Sequence, residues 1–433
     1  MTPLLCHERS GRRSRCIAWL LTVVVLEFVS DYNRGDGSLA YADARVIPSV
    51  TVAERYDTNV FNAAPQFIPP GSKEWDLVTT AAPSLHVVVP DRDVKTDLTV
   101  GATGNTFVNN PELSFISTNA ALTSNLDSWI GQLISGAKLH VSDYGQYTPQ
   151  PPAFLTGVQL SQGVPDIYSR GLLIARANSI SNTATMTGTY AWTPTVSLLG
   201  EISHAYFSLG QVFVTQTAGS TPISGLTTNT LSWSAGPRLR LSRGDTMTLR
   251  YFNSETQFSG GGVLEQKFAT HVVHAEYERV TPHWTAMMSV GPGVIEPGGL
   301  FFYSGKLLLS GKYDPATTTT LSFSRQTAPS LFGTLGALIS NSASVSVQHS
   351  FEKGATLTGT VNYALNESAP ASDVRFETIA GQLVLAYPLS RIMAASLTYD
   401  YSHFKFDSSV GGVASGFLVD KSAVTLSAVF TWK

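Results

Sequence analysis

Apolar and polar residues alternate along most of this chain with a period of two. From Met393 to Ser402, Met393, Ala395, Leu397, Tyr399 and Tyr401 share one parity, and Ala394, Ser396, Thr398, Asp400 and Ser402 share the other. Val424, Leu426, Ala428, Phe430 and Trp432 alternate in the same way with Thr425, Ser427, Val429 and Thr431, as do Leu357, Gly359, Val361, Tyr363 and Leu365 with Thr356, Thr358, Thr360 and Asn362. Successive side chains of a strand point to opposite faces, so each run predicts a strand with one apolar and one polar face. No sustained 3.6-residue period competes with this pattern after Val46. No apolar run there is long enough for a transmembrane helix, which needs about 20 residues.

The pattern places strands at 46–56, 75–89, 94–107, 117–126, 129–142, 179–191, 195–209, 227–241, 245–258, 264–278, 283–294, 301–313, 316–327, 337–351, 355–366, 375–387, 391–404 and 419–432. These eighteen windows run about 10 to 14 residues, whereas soluble strands cluster near 5 to 6 and a tilted membrane strand needs about 9 to 11. The weakest pair lies between 117 and 142, divided only by Leu126-Asp127-Ser128; without it sixteen strands remain.

Punctuation alternates as well. Short connections fall at Pro90-Asp91-Arg92, Trp192-Thr193-Pro194, Ser242-Arg243-Gly244, Val280-Thr281-Pro282, Asp314-Pro315, Glu352-Lys353-Gly354 and Pro388-Leu389-Ser390. Longer Gly/Ser/Asn/Pro-rich segments fall at 57–74, 143–178, 210–226 and 405–418. Short turns at one end and long loops at the other are the signature of an all-β, antiparallel, up-and-down transmembrane barrel. Unpaired backbone groups are too costly in hydrocarbon for the sheet to stay open, so the first strand is expected to pair with the last, with both termini periplasmic. Tyr190, Trp192, Tyr277, Trp284, Tyr313, Phe351, Tyr387 and Trp432 recur at the short turns, where a periplasmic aromatic girdle is expected.

Composition sharpens this reading. Of 433 residues 43% are hydrophobic and only 14% charged, against about 25% charged in ordinary soluble chains, and mean hydropathy is +0.07. The apolar residues are therefore dispersed. Both cysteines, Cys6 and Cys16, stand in the first sixteen residues, which removes a disulfide framework and a cysteine metal site from the rest of the chain. Arg9, Arg12, Arg13 and Arg15 followed by the apolar run Cys16 to Leu26 read as an export signal over residues 1–42, with Ala40-Tyr41-Ala42 as the cleavage pattern and the barrel occupying 43–433. Removal of five Lys/Arg and four Asp/Glu leaves 28 − 5 = 23 positive against 31 − 4 = 27 negative side chains, a net charge of −4. Nothing in that balance points to nucleic acid.

The opening of the mature chain, Ser49 to Phe61, contains Tyr56-Asp57-Thr58-Asn59-Val60-Phe61, and Trp75 and Pro83-Ser84 follow. These residues resemble the start of a family of outer-membrane β-barrel porins often associated with exopolysaccharide gene clusters. In that family a first strand ends in Tyr-Asp-x-Asn-hydrophobic-aromatic, and a Trp-containing second strand carries a Pro-Ser pair. The likeness covers about the first forty mature residues. The terminal Trp432-Lys433 departs from the usual final aromatic. The resemblance implies an outer-membrane location, recognition by the barrel-assembly machinery, contact with lipid and lipopolysaccharide, and passage of polysaccharide or small polar solutes.

If the apolar parity faces lipid, the other parity lines a lumen, where charge is cheap; Arg or Lys on the lipid side costs about 2–4 kcal/mol at midplane. The pore-lining candidates are Arg238, Arg240, Arg250, His274, Glu276, Glu278, Lys95, Asp97 and Asp400. The three arginines are expected to form a small cationic cluster, facing carboxylates across the lumen and setting up a transverse field. Chemistry is not expected: in Ser402-His403 and His349-Ser350 the neighbours point to opposite faces and cannot form a dyad, and His271 and His274 are on opposite parities. Gly260-Gly261-Gly262 and Gly291-Pro292-Gly293 read as loop punctuation. The expected function is thus a passive porin-like channel without cofactor or metal, or else a structural, adhesive barrel whose outer loops bind a surface partner. Cleavage after Ala42 leaves Asp43 as the first residue, which N-terminal sequencing of protein extracted from outer membranes will read.

Overall fold

The computed structural model describes residues 44–68, 70–90, 94–148, 177–212, 227–260, 265–329, 337–369, 374–408 and 415–432. The export signal expected over residues 1–42 lies outside these residues. Eighteen strands follow one another: β1 (Arg45–Asp57), β2 (Asp76–Pro90), β3 (Lys95–Phe107), β4 (Phe115–Asn125), β5 (Ala137–Thr148), β6 (Ala177–Ala191), β7 (Val196–Val212), β8 (Thr227–Arg240) and β9 (Asp245–Ser259). The second half comprises β10 (Gln266–Val280), β11 (Trp284–Glu296), β12 (Leu300–Lys312), β13 (Thr317–Pro329), β14 (Ala337–Ser350), β15 (Thr356–Ala369), β16 (Val374–Pro388), β17 (Met393–Ser408) and β18 (Ser415–Thr431). Each strand pairs antiparallel with the next, and β1 pairs with β18 from Ser49↔Thr431 to Asp57↔Ala423, so the sheet closes on itself.

Closure gives every strand an outer and an inner face, and the two-residue period assigns them. Val52, Met186, Leu249, Phe323, Val361 and Leu426 are exposed on the outer wall. On the inner wall hydroxyls pair across neighbouring strands: Ser49–Ser84 at 2.6 Å, Thr185–Ser203 at 3.0 Å, Ser324–Ser342 at 2.7 Å, Ser346–Thr360 at 3.1 Å and Ser396–Ser427 at 2.7 Å. Such cross-strand pairs contribute a few tenths to about 1 kcal/mol each and fix register, because a one-residue slip would exchange the two faces. Trp192, Tyr313, Phe351, Tyr387 and Trp432 stand exposed at the short-turn end.

The doubtful pair is present, but the second strand starts later than the alternation predicts. Residues 127–133 form a short helix, α1 (Asp127–Leu133), and the strand occupies Ala137–Thr148, running six residues into the expected loop. Trp129, Leu133, Ala137 and Leu139 share a parity, so alternation runs on backward through a segment that is helical. Capping decides it: the Asn125 side chain accepts the Asp127 N–H at 2.9 Å, the Asp127 carboxylate accepts the Leu139 N–H at 2.9 Å, and Gly136 turns the chain at φ 83°. Likewise β17 and β18 extend into the segment expected as loop 405–418. The expected constriction loop lies outside the described residues from 149 to 176.

Toward the loop end the polarity of the two walls reverses. Inside, Phe258, Phe268, Phe302, Phe376 and Phe404 are buried. Outside, Lys267 pairs with Glu255 at 2.7 Å and His403 with Asp420 at 2.8 Å. This end is therefore built like a soluble sheet, apolar in and polar out.

The seam can be tested by covalent capture. Val52→Cys with Ala428→Cys joins directly opposed positions, in a chain with no other cysteine beyond residue 16, and oxidised protein is expected to migrate as a circular species on a denaturing gel. Preferential capture of Val50→Cys with Ala428→Cys would instead reveal a two-residue slip.

Candidate functional site

A band of charge lies on the inner wall of β7 to β10. Arg238 pairs with Thr248 in register, and Thr248 pairs with Glu276. The small threonine between them lets Arg238 reach over β9 to Glu278, Nη2 to Oε2 at 2.9 Å. Arg250 bridges in both directions, with 2.6 Å to Glu276 and 3.8 Å to Glu201 on β7. His274, directly opposite Arg250, has its Nδ1 3.2 Å from the Ser289 hydroxyl. Arg240 has no ion-pair partner among the described residues.

Two Gly-Pro pairs shape this wall. Pairing between β8 and β9 is interrupted at Gly236-Pro237, and between β10 and β11 at Gly291-Pro292. Proline has no N–H for the ladder, and glycine lets the neighbouring backbone come close. A Cβ on Gly236 would stand 1.9 Å from the Leu249 carbonyl oxygen, and one on Gly291 2.1 Å from that of Val273. Gly291-Pro292-Gly293 is thus strand interior and not the expected loop punctuation: the two interruptions flank the strands that carry Arg250 and His274.

The geometry corrects the expected electrostatics. Arg238, Arg240 and Arg250 do not form an isolated cationic cluster, since Glu201, Glu276 and Glu278 stand among them on the same wall, Glu278 pairing with Arg238 and both Glu201 and Glu276 with Arg250. The field runs laterally along the wall between adjacent strands and is not set up by arginines on one side and these carboxylates on the other. Parity sets these side chains opposite the aliphatic face, but the partnership of Glu201 depended on the register of β7 against β8. The remaining candidates are on the inner parity yet apart from this band: Lys95 at the turn end of β3, Asp97 3.4 Å from His86, and Asp400 accepting the Gln382 amide at 2.7 Å.

A second polar cluster, at the loop end, was not singled out by its charges. Asp57 is fully buried, with Lys421 Nζ at 3.0 Å and Arg55 at 3.5 Å. Asn59 donates its side-chain N–H to the Ala63 carbonyl at 2.8 Å, accepts the Ala63 N–H at 3.3 Å, and gives its own backbone N–H to Asp57 at 3.0 Å. Lys421 also donates to the Asn62 side chain at 2.8 Å. The buried Asp76 carboxylate accepts backbone N–H groups from Leu77, Val108, Asn109 and Asn110. The signal for this cluster was the Tyr56-Asp57-x-Asn59 motif, whose polar residues fasten the first loop.

No family model matches the chain, and no curated protein is similar to it in sequence. Among solved structures, the siderophore receptor PirA from Pseudomonas aeruginosa is similar at 10% identity over 90% of this chain and 80% of that one, with a TM-score of 0.45. The ferric enterobactin receptor PfeA from the same organism gives 9% identity, 90% and 82% coverage and a TM-score of 0.48. Acinetobacter baumannii OccAB3 gives 11% identity, 90% and 100% coverage and a TM-score of 0.43.

Close approach at the Gly-Pro interruption can be measured against an open glycine. Gly236→Ala is expected to cost about 2 kcal/mol or more in urea unfolding from detergent or lipid, while Gly200→Ala, whose Cβ would meet nothing within 4 Å, stays within about 0.5 kcal/mol.

Proposed function

We propose that this barrel is an outer-membrane channel for small polar solutes. The observation that carries the proposal is the pair of walls: a closed eighteen-strand sheet with exposed aliphatics outside and hydroxyls and balanced charges inside. An apolar exterior suits hydrocarbon. A barrel of this strand number is too wide to be filled by its own wall side chains and leaves room for water. The loop end is then extracellular and the turn end, with both chain ends, periplasmic.

The balanced charge band on β7 to β10 acts as a polar track rather than an ion filter. Adjacent arginines and carboxylates offer donors and acceptors to a passing hydroxyl-rich or zwitterionic solute without strong preference for either ion sign. Small solutes are favoured over polysaccharide because the inner rim at the loop end carries apolar clusters in place of the hydroxyls and charges that would bind a glycan.

Single-channel recording of refolded protein in a planar bilayer tests this reading. Steady conductance with weak ion selectivity is expected, turning to cation preference when Arg238, Arg240 and Arg250 are all changed to Gln, since Glu201, Glu276 and Glu278 then lose their counter-charges. Absence of conductance from protein shown by heat-modifiable migration to be folded would overturn the channel and leave the adhesive barrel. Passage of long glycans in liposome swelling would point to the polysaccharide conduit.

A further inference from the structure

One carboxyl on the outer wall stands where a lipid-facing sheet has no use for it. Asp143 lies on the outward parity of β5, with Val141, Gly145 and the exposed Tyr147. In register with it are Leu122 on β4 and Ala184 on β6, and Ala184 shares its parity with the exposed Ile180, Met186 and Tyr190. Asp143 is six residues from the turn-end start of β5 at Ala137. At ~3.3 Å per residue on a strand tilted by roughly 40°, it stands about 15 Å above the turns, near the middle of an apolar band about 25 Å tall. On the opposite side of the barrel Leu321, Val345 and Val361, four or five residues from the turn ends of their strands, present aliphatic side chains at a similar height.

Asp143 forms no ion pair among the described residues. Its Oδ1 accepts the Asn182 side-chain amide at 2.7 Å, and Asn182 is outward on β6. On β7, His204 opposes Ala184 in register and Tyr206 opposes Asn182. His204 is exposed, with Nε2 2.6 Å from the Asn229 side-chain oxygen; that oxygen takes the Nε2 hydrogen and leaves Nδ1 for another partner. The residues between these groups are small: Ala184 separates Asp143 from His204, and Gly145 and Ala120 adjoin on β5 and β4. As between membrane helices, small side chains let embedded walls approach closely. Lipid tails offer neither donor nor acceptor, so an ionisable group at this depth calls for a protein partner.

We propose that the outer wall of β5 to β7 is the contact between two copies of this chain, related by a two-fold axis along the membrane normal beside β6. The inference rests on the membrane-channel reading and adds its assembly. Two identical faces that meet exchange left and right, so β5 of one copy lies against β7 of the other, and Asp143 of each meets His204 of the second copy. The two contacts are equivalent and flank the axis, since β5 and β7 are two strand spacings, about 10 Å, apart. One proton completes each contact, held either as a carboxyl O–H given to Nδ1 or as an imidazolium N–H given to the carboxylate. A phosphate-bearing lipid headgroup, by contrast, would meet Asp143 as a like charge.

Mass and cross-linking test the pairing. Protein extracted from membranes into nanodiscs is expected to hold two chains per particle. Ala184→Cys, in a chain with no other cysteine beyond residue 16, should oxidise in membranes to a covalent dimer about ten times faster than Val345→Cys on the far wall. His204→Asp sets two carboxyls against each other and should weaken the dimer about tenfold or more, with folding checked by heat-modifiable migration. Asp143→His combined with His204→Asp exchanges the partners and should restore the dimer, a rescue that a merely damaged strand would not show. His204→Leu, which removes the partner alone, should also dissociate and serves where His204→Asp does not fold. Any count other than two for the folded parent, equal cross-linking at positions 184 and 345, or a folded exchanged pair that stays single would overturn the interface and leave the channel standing. Dimers that conduct nothing would sustain the interface and overturn the channel; protein that does not enter membranes in folded form would overturn both.

Discussion

The structure depends first on the requirement that no strand keep an unpaired edge. A sheet whose outer wall is aliphatic along most of its length cannot present open N–H and C=O groups there, because hydrocarbon offers them no partner. Pairing of β1 with β18 removes the last edge and at the same time creates an inside. Where the aliphatic band faces lipid, polar side chains of the strands then have one permitted side. The hydroxyl pairs and the band of arginines and glutamates follow from that division.

The division was legible in the sequence because it needs only parity. Every strand window found a strand, and the side of Arg238, Arg250, Glu276 and Glu278 could be counted from their apolar neighbours. Parity says nothing of register between strands distant in sequence, so Glu201 as a partner of Arg250 was invisible and a one-signed cluster was expected. Nor does it exclude a short helix whose apolar residues happen to stay in phase, as Trp129 and Leu133 do with Leu139. Gly291-Pro292 looked like a loop because both residues are rare inside strands; here proline's missing donor and glycine's missing Cβ are used together to break pairing beside the charged band.

The reversal of polarity at the loop end has the same origin. Where strands run past the aliphatic outer band, the outer wall becomes the wet side and the inner wall the only place for Phe258, Phe376 and Phe404. The first loop joins part of this apolar lining, through Val60 and Phe61 beside Val78 and Phe107 and through Ala64 in the cluster of Phe376 and Phe404. Its fastening residues are those of the Tyr56-Asp57-Thr58-Asn59 motif that marked the chain at the outset. The motif is thus explained as architecture: Tyr56 packs near Trp75 outside, at 6.0 Å between ring centroids, while Asp57 and Asn59 hold the loop inside.

The claim common to all of this is that the hydroxyl-rich wall bounds water and the aliphatic wall bounds lipid. Single cysteines at Val345, Ser346 and Val347 of β14, in a chain with no other cysteine beyond residue 16, probed in membranes with a water-soluble maleimide, test it most directly. Labelling at Ser346 with protection at Val345 and Val347 is the predicted result. Uniform protection, or labelling at the two valines and not the serine, would contradict the account.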